Sequence, residues 1–164
     1  MKKKNHLPIF GVGPLYVILI LLITAFLVYL DSRGLFSQFK VNSLKIVFQI
    51  LGIFLALEGL VIWIFAVIIS RIDDKIKDNK LITTGIYRYV RNPIYSAFLF
   101  VCTAVILFLN NYLFLLVPIF FWIFLTLLMK NTEEKWLIKK YGNAYLEYSK
   151  ATNRCIPFFK KIKS

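Results

Sequence analysis

Four stretches of this chain are nearly free of charge, and they constrain its fold more than any other feature. They are Ile9–Leu30, Leu44–Ser70, Ile94–Leu109 and Tyr112–Met129. A helix needs roughly 20 consecutive apolar residues to cross the hydrocarbon core of a bilayer. The first two stretches exceed that length. The last two are shorter and are separated only by Asn110–Asn111, the pattern of a tight helical hairpin. Pro118 falls inside the fourth stretch and is expected to kink it near its middle, where neighbouring helices can satisfy the freed carbonyl. The apolar run behind the basic Met1–Lys4 is too long for a signal h-region and has no clear small-residue cleavage site, so it reads as a span. The expected fold is therefore all-α. It is a polytopic membrane protein of about four transmembrane helices with a cytoplasmic C-terminal helical segment, one integral membrane domain over residues 1–164.

The formal net charge of +13 would suit a nucleic-acid partner, but its distribution points to a membrane. Lys2–Lys4 carry three basic residues, the segment Arg71–Arg91 six, and everything after Met129 nine. The loop after the first span holds only Arg33 and Lys40, with Lys45 just inside the next helix. The positive-inside bias then puts both termini and the Arg71–Arg91 segment in the cytoplasm, where the basic residues also attract anionic lipid. No nucleic-acid-binding motif accompanies them. Cys102 and Cys155 are isolated, and His6 is the single histidine, so neither a disulfide framework nor a metal centre is expected.

Residues 1–70 read as two scaffold spans, 71–93 as a polar segment leading into the third span, and 130–164 as a polar, aromatic-rich tail. Within the second span Glu58 is an oddity, because an ionised side chain at mid-membrane costs about 3 kcal/mol on insertion scales. It has to face another helix or line a ligand cavity, which makes it a candidate substrate-binding residue. In the tail, Asn131 with Glu134 has the form of a capping box, and Glu133–Glu134 suit the positive end of a helix. Gly142 should interrupt that helix. Tyr141, Tyr145 and Tyr148 would share one face, and Trp136 would seat the helix at the membrane surface.

The most informative stretch is GIYRYVRNPIY, from Gly85 to Tyr95. Thr84 and Gly85 mark a turn. Pro93 pre-sets the first turn of a helix without costing a hydrogen bond. Arg91 and Asn92 therefore sit at a helix N-terminus, a natural place for an anion. By itself such an arginine also serves as an ordinary interfacial anchor.

Taken together, G-x-Y-x-x-x-R-x-P-x-Y, then E-E-x-x-L, Y-G-x-x-Y-x-x-Y and a terminal R-x-x-P resemble the isoprenylcysteine carboxyl methyltransferase and phospholipid methyltransferase superfamily. The resemblance covers Leu81 to Pro157. It implies an S-adenosylmethionine-dependent methyltransferase whose cofactor pocket faces the cytoplasm, is closed by the C-terminal segment, and takes up residues 71–164. Tyr87, Arg91, Pro93, Tyr95, Glu133, Glu134, Tyr145 and Tyr148 carry the pattern, and Arg154 and Pro157 match its closing segment. In chemical terms, Arg91 can pair bidentately with the cofactor carboxylate, and Glu133 or Glu134 can accept from its ribose hydroxyls or ammonium. The tyrosines can cover adenine or face the sulfonium. Arg91, Asn92 and Glu134 are the candidate catalytic residues, Asn92 joins the cofactor set, and Arg154 joins Glu58 toward the substrate.

One departure bears on the acceptor. Many family members have histidine where this chain has Asn92, and asparagine cannot take up a proton near neutral pH. A carboxylate acceptor is already a nucleophile, whereas an ammonium acceptor such as phosphatidylethanolamine must first lose a proton. Asn92 thus favours carboxyl O-methylation over phospholipid N-methylation, provided Glu58 or Glu134 does not serve as base. Two rivals remain. A sterol-type NADPH reductase would carry a P-N-Y-x-G-E-like segment, but Pro93–Phe98 contains no acid. A non-enzymatic membrane scaffold would use Arg91 as an anchor and the tyrosines for packing.

Overall fold

The computed structural model describes residues 11–69 and 81–157. The basic residues of Lys2–Lys4, the segment 70–80 and residues 158–164, which carry much of the topological expectation, lie outside the described residues, as does His6. The described residues form helices and no β-strand: α1 (Gly13–Ser32), α2 (Lys45–Ile64), α3 (Pro93–Phe108), α4 (Leu116–Asn131), α5 (Glu133–Tyr141) and α6 (Asn143–Ala151). Three helical runs are long and apolar enough to cross a membrane: Gly13–Ser32, Asn42–Ile68 and Tyr112–Tyr141. Helix α3 is apolar but shorter, at 16 residues. The chain is an all-α polytopic membrane protein, and its large exposed side chains, such as Ile18, Leu22, Ile50 and Phe54, are those of a surface facing lipid.

Helix α3 lies at the centre, and the way α1 and α2 meet it fixes their directions. Tyr16 meets Tyr95 edge-on, and one helical stretch further along Thr24 hydrogen-bonds Cys102, so α1 and α3 run parallel. Against α2 the order reverses, with Gly52 at Phe108 and Gly59 at Ala97 and Val101. A Cβ at Gly59 would stand 2.9 Å from the Ala97 carbonyl oxygen. The glycine lets two backbones approach as small residues do in membrane helix pairs. Helix α4 returns antiparallel to α3 and packs on α1, where Tyr16 is fully buried, stacks on Phe124 and donates from its hydroxyl to the Phe121 carbonyl at 3.4 Å.

Asn110 takes a left-handed conformation (φ 53°) to close the α3–α4 hairpin, a backbone state that asparagine tolerates better than most residues. Pro118 differs from expectation. It is the third residue of α4 and the seventh of the helical run that starts at Tyr112, so it lies near the start of the span and does not interrupt its middle. The capping box is also corrected. Asn131 ends α4, Thr132 (φ −124°, ψ −87°) breaks the run, and no side chain caps α5. Glu134 turns to two arginines, a stronger attraction for a carboxylate than a backbone N–H.

Candidate active site

The starts of α1 and α3, the end of α4 and the whole tail meet at one end of the bundle. Gly85, with φ 65°, starts a short 3-10 turn over Gly85–Arg88. That turn buries Tyr87 and delivers the chain to Asn92, which precedes Pro93 at the start of α3. On the other side, Gly142 (φ 58°, ψ −133°) bends α5 into α6, a conformation that suits only glycine. The chain after α6 then runs back alongside residues 90–92. Val90 and Asn153 form a parallel bridge, the Arg91 N–H donates to the Asn153 carbonyl at 2.9 Å, and the Asn92 N–H to the Arg154 carbonyl at 3.2 Å. The Asn92 side chain adds a bond from Nδ2 to the same Arg154 carbonyl at 3.0 Å. Tyr148 donates to the Tyr87 carbonyl at 2.6 Å. The tail is thus strapped across the entrance to α3.

Inside the strap lies a triad of charge. Glu134 receives Arg91 Nη2 at 2.9 Å on Oε1, Arg154 Nε at 2.6 Å on the same oxygen, and Arg154 Nη2 at 2.9 Å on Oε2. Arg91 Nη1 donates to the Ser149 carbonyl near the end of α6 at 2.7 Å, a good place for a cation. Arg91 Nε is buried with no hydrogen-bond partner among the described residues. A few ångströms of chain away, Glu133 turns in the other direction. Its Oε1 accepts from the Tyr95 hydroxyl and from the Gly13 N–H, both at 3.2 Å.

Aromatic rings line this arrangement. Tyr145 is buried and meets Tyr148 edge-on with centroids 6.0 Å apart. Burial pushes the Tyr145 phenol up to about 12, with the Glu134 charge adding to the shift. Burial also raises Tyr87 and Tyr148, so all three stay protonated donors near neutral pH. The hydrogen bond to Glu134 holds the Arg154 guanidinium further up, and burial pushes the Cys155 thiol up to about 11.

Of the residues singled out in the sequence, Tyr87, Arg91, Asn92, Pro93, Tyr95, Glu133, Glu134, Tyr145, Tyr148 and Arg154 come together here. Glu58 does not join them: it is half-buried on α2, with no hydrogen bond or ion pair among the described residues. Tyr141 leaves the expected tyrosine face, because Gly142 places it on α5, where the Lys140 ammonium lies over its ring. Sequence reasoning missed Gly11, Gly13 and Tyr16. The available signal was G-x-G-P-x-Y, two glycines ahead of a helix-starting proline.

The donor set suits S-adenosylmethionine chemically. A buried guanidinium whose Nε has no partner among the described residues suits an anion, a carboxylate unpaired with arginine suits an ammonium or a diol, and phenol rings suit adenine or a sulfonium.

Comparison with known proteins agrees with this chemistry. Residues 46–144 match the family model for phospholipid methyltransferase. Over 82 residues, 49% of the chain, the sequence is 35% identical to the protein-S-isoprenylcysteine O-methyltransferase of Schizosaccharomyces pombe, and the match spans 34% of that relative's length. No solved structure matches the chain. With most of its length matched and its motifs folded together at one end of the bundle, the chain belongs to the phospholipid methyltransferase family.

Proposed function

We propose that this membrane methyltransferase uses S-adenosylmethionine to methylate a lipid or lipid-linked acceptor at the cytoplasmic face. The observation that carries the reading is the orphaned Arg91 Nε, a buried donor without a partner among the described residues, inside a hydrogen-bonded cluster. An unmet buried donor costs about 1–3 kcal/mol, more for a charged group, unless a ligand meets it. Arg91 would hold the cofactor carboxylate through that N–H while its terminal nitrogens keep Glu134 and Ser149. Glu133 would accept from the cofactor ammonium or ribose, and Tyr145 and Tyr148 would cover the flat or cationic parts. The bound cofactor supplies the activated methyl group. The protein's part is to hold the acceptor in line with it and to exclude water, and the strap of residues 151–157 is well placed for the second task.

The acceptor best supported is a carboxylate on an amphiphile, an isoprenylcysteine-like group. Glu134 is committed to two arginines and Asn92 is an amide bonded to the strap, and a carboxylate acceptor asks for no base. A phospholipid amine is the second reading. It is favoured by Glu133, a carboxylate held by neutral donors, which can take a proton.

The test is calorimetric titration of the detergent-purified protein with S-adenosylhomocysteine. Wild type should bind in the micromolar range, and Glu133→Gln should bind about 10-fold or more weakly, the scale of losing one bond to a charged group. Absence of wild-type binding would sink the methyltransferase mechanism and favour a scaffold.

A further inference from the structure

The matched family segment starts at residue 46, yet the carboxylate at the centre of the proposed site is held by residues far ahead of it. We propose that Gly11 and Gly13, at the entrance to the first span, are positioning residues for Glu133. The inference rests on the reading of Glu133 as a cofactor-binding group.

Three observations carry it. The Gly13 N–H donates to the Glu133 carboxylate at 3.2 Å, and it belongs to the uncapped start of α1, which has no acidic residue in its own first turn and no side-chain cap. Glu133 therefore supplies from 120 positions away the negative group that a helix start ordinarily takes from a neighbour. Second, both glycines are required by space. A Cβ at Gly11 would land on the Glu133 carboxylate, and a Cβ at Gly13 on the Tyr95 phenol that donates to it. Neither has a positive φ, so what demands glycine is the close approach of backbone to carboxylate, not the backbone conformation. Third, Tyr16, one turn into the same helix, is fully buried against Tyr95, Phe121 and Phe124. The start of α1 is thereby fixed relative to the helices that carry Tyr95 and Glu133, so a shift at Gly11 is passed to the carboxylate instead of being absorbed by sliding of α1.

The consequence is that the first span completes the site from the side opposite the C-terminal strap. Residues 81–95 and 133–157 supply the side chains, and Gly11–Gly13 sets where one of them points. A protein lacking this entrance would keep its motifs and lose its aim.

The experiment is a double-substitution cycle read by S-adenosylhomocysteine titration: wild type, Gly11→Ala, Glu133→Asp and the pair, each checked for an unchanged helical spectrum and monodisperse elution. Aspartate shortens the side chain by one methylene and makes room for the new Cβ. Gly11→Ala alone should weaken binding about 10-fold, and in the Glu133→Asp background it should add less than about 2-fold. Gly13→Ala with Tyr95→Leu, in which the colliding phenol is removed, should repeat the pattern. Equal losses from Gly11→Ala in both backgrounds, or no loss in either, would overturn the positioning role while wild-type binding leaves the functional reading standing. No binding by wild type would overturn both.

Discussion

Glu133 and Glu134 are adjacent and chemically identical, yet they do opposite things. Successive residues of a helix project about 100° apart, so one carboxylate faces the arginines and the other faces α1. The charged triad is well shielded: the Arg91 side chain is 8% exposed, Glu134 12% and Arg154 24%. Removing the shared partner of two buried cations leaves both uncompensated, a change that costs about 3–5 kcal/mol. Removing Arg154 leaves Glu134 still bonded to Arg91 and exposes the more solvated member. Glu134→Ala is therefore expected to lower thermal stability in detergent clearly more than Arg154→Ala. The reverse order in a melting experiment would mean that the triad is not what holds the tail. The pair E-E was legible in the sequence as part of a site. Which acid pairs with which partner was not, because that depends on the rotation of α5 after the break at Thr132, and no local residue pattern sets it.

At the scale of elements, the end of the bundle away from the candidate site is locked by the α3–α4 hairpin. Asn111 is fully buried. Its Nδ2 donates to the Phe36 carbonyl at 3.0 Å, its Oδ1 accepts from the Leu113 N–H at 3.1 Å, and the Val41 N–H donates to the Asn110 carbonyl at 3.0 Å. The loop between α1 and α2 is thus tied to the hairpin turn. The two asparagines should answer differently to substitution. Asn110 has a left-handed backbone and a buried Oδ1 without a partner, so Asn110→Gly should be neutral or stabilising. Asn111→Leu strands the Phe36 carbonyl and the Leu113 N–H and should cost about 1–3 kcal/mol. Thermal unfolding of the two variants side by side checks this, and equal effects would sink it. The hairpin itself was readable from two polar residues between apolar runs. The tie to residues 36–41 was not, since it joins segments some 75 positions apart through one side chain.

For the molecule as a whole, the directions of the spans and the position of the site bear on each other. Parallel α1 and α3, with antiparallel α2 and α4, put Gly13, Tyr95 and Glu133 at one end and the Asn110–Asn111 turn at the other. The 16 residues of α3 rise about 24 Å, less than the roughly 30 Å of a hydrocarbon core. On the proposed function, a site at its start would be recessed toward the lipid, where the head of an amphiphilic acceptor would reach it while its tail stays among the helices. If the proposed methyl donor arrives from water, this end is the one expected to face the compartment that holds it. The charges agree: among the described residues Arg88, Arg91, Lys130, Lys135, Lys139, Lys140, Lys150 and Arg154 lie at the site's end, against Arg33 and Lys40 in the loop at the other. Reporter fusions should accordingly report both termini as cytoplasmic and an insertion near Gly34 as external. An external reading at the termini would put the strap, the arginines and Glu133 on the side of the membrane away from a cytosolic donor. In that case the same geometry would have to serve a ligand other than S-adenosylmethionine.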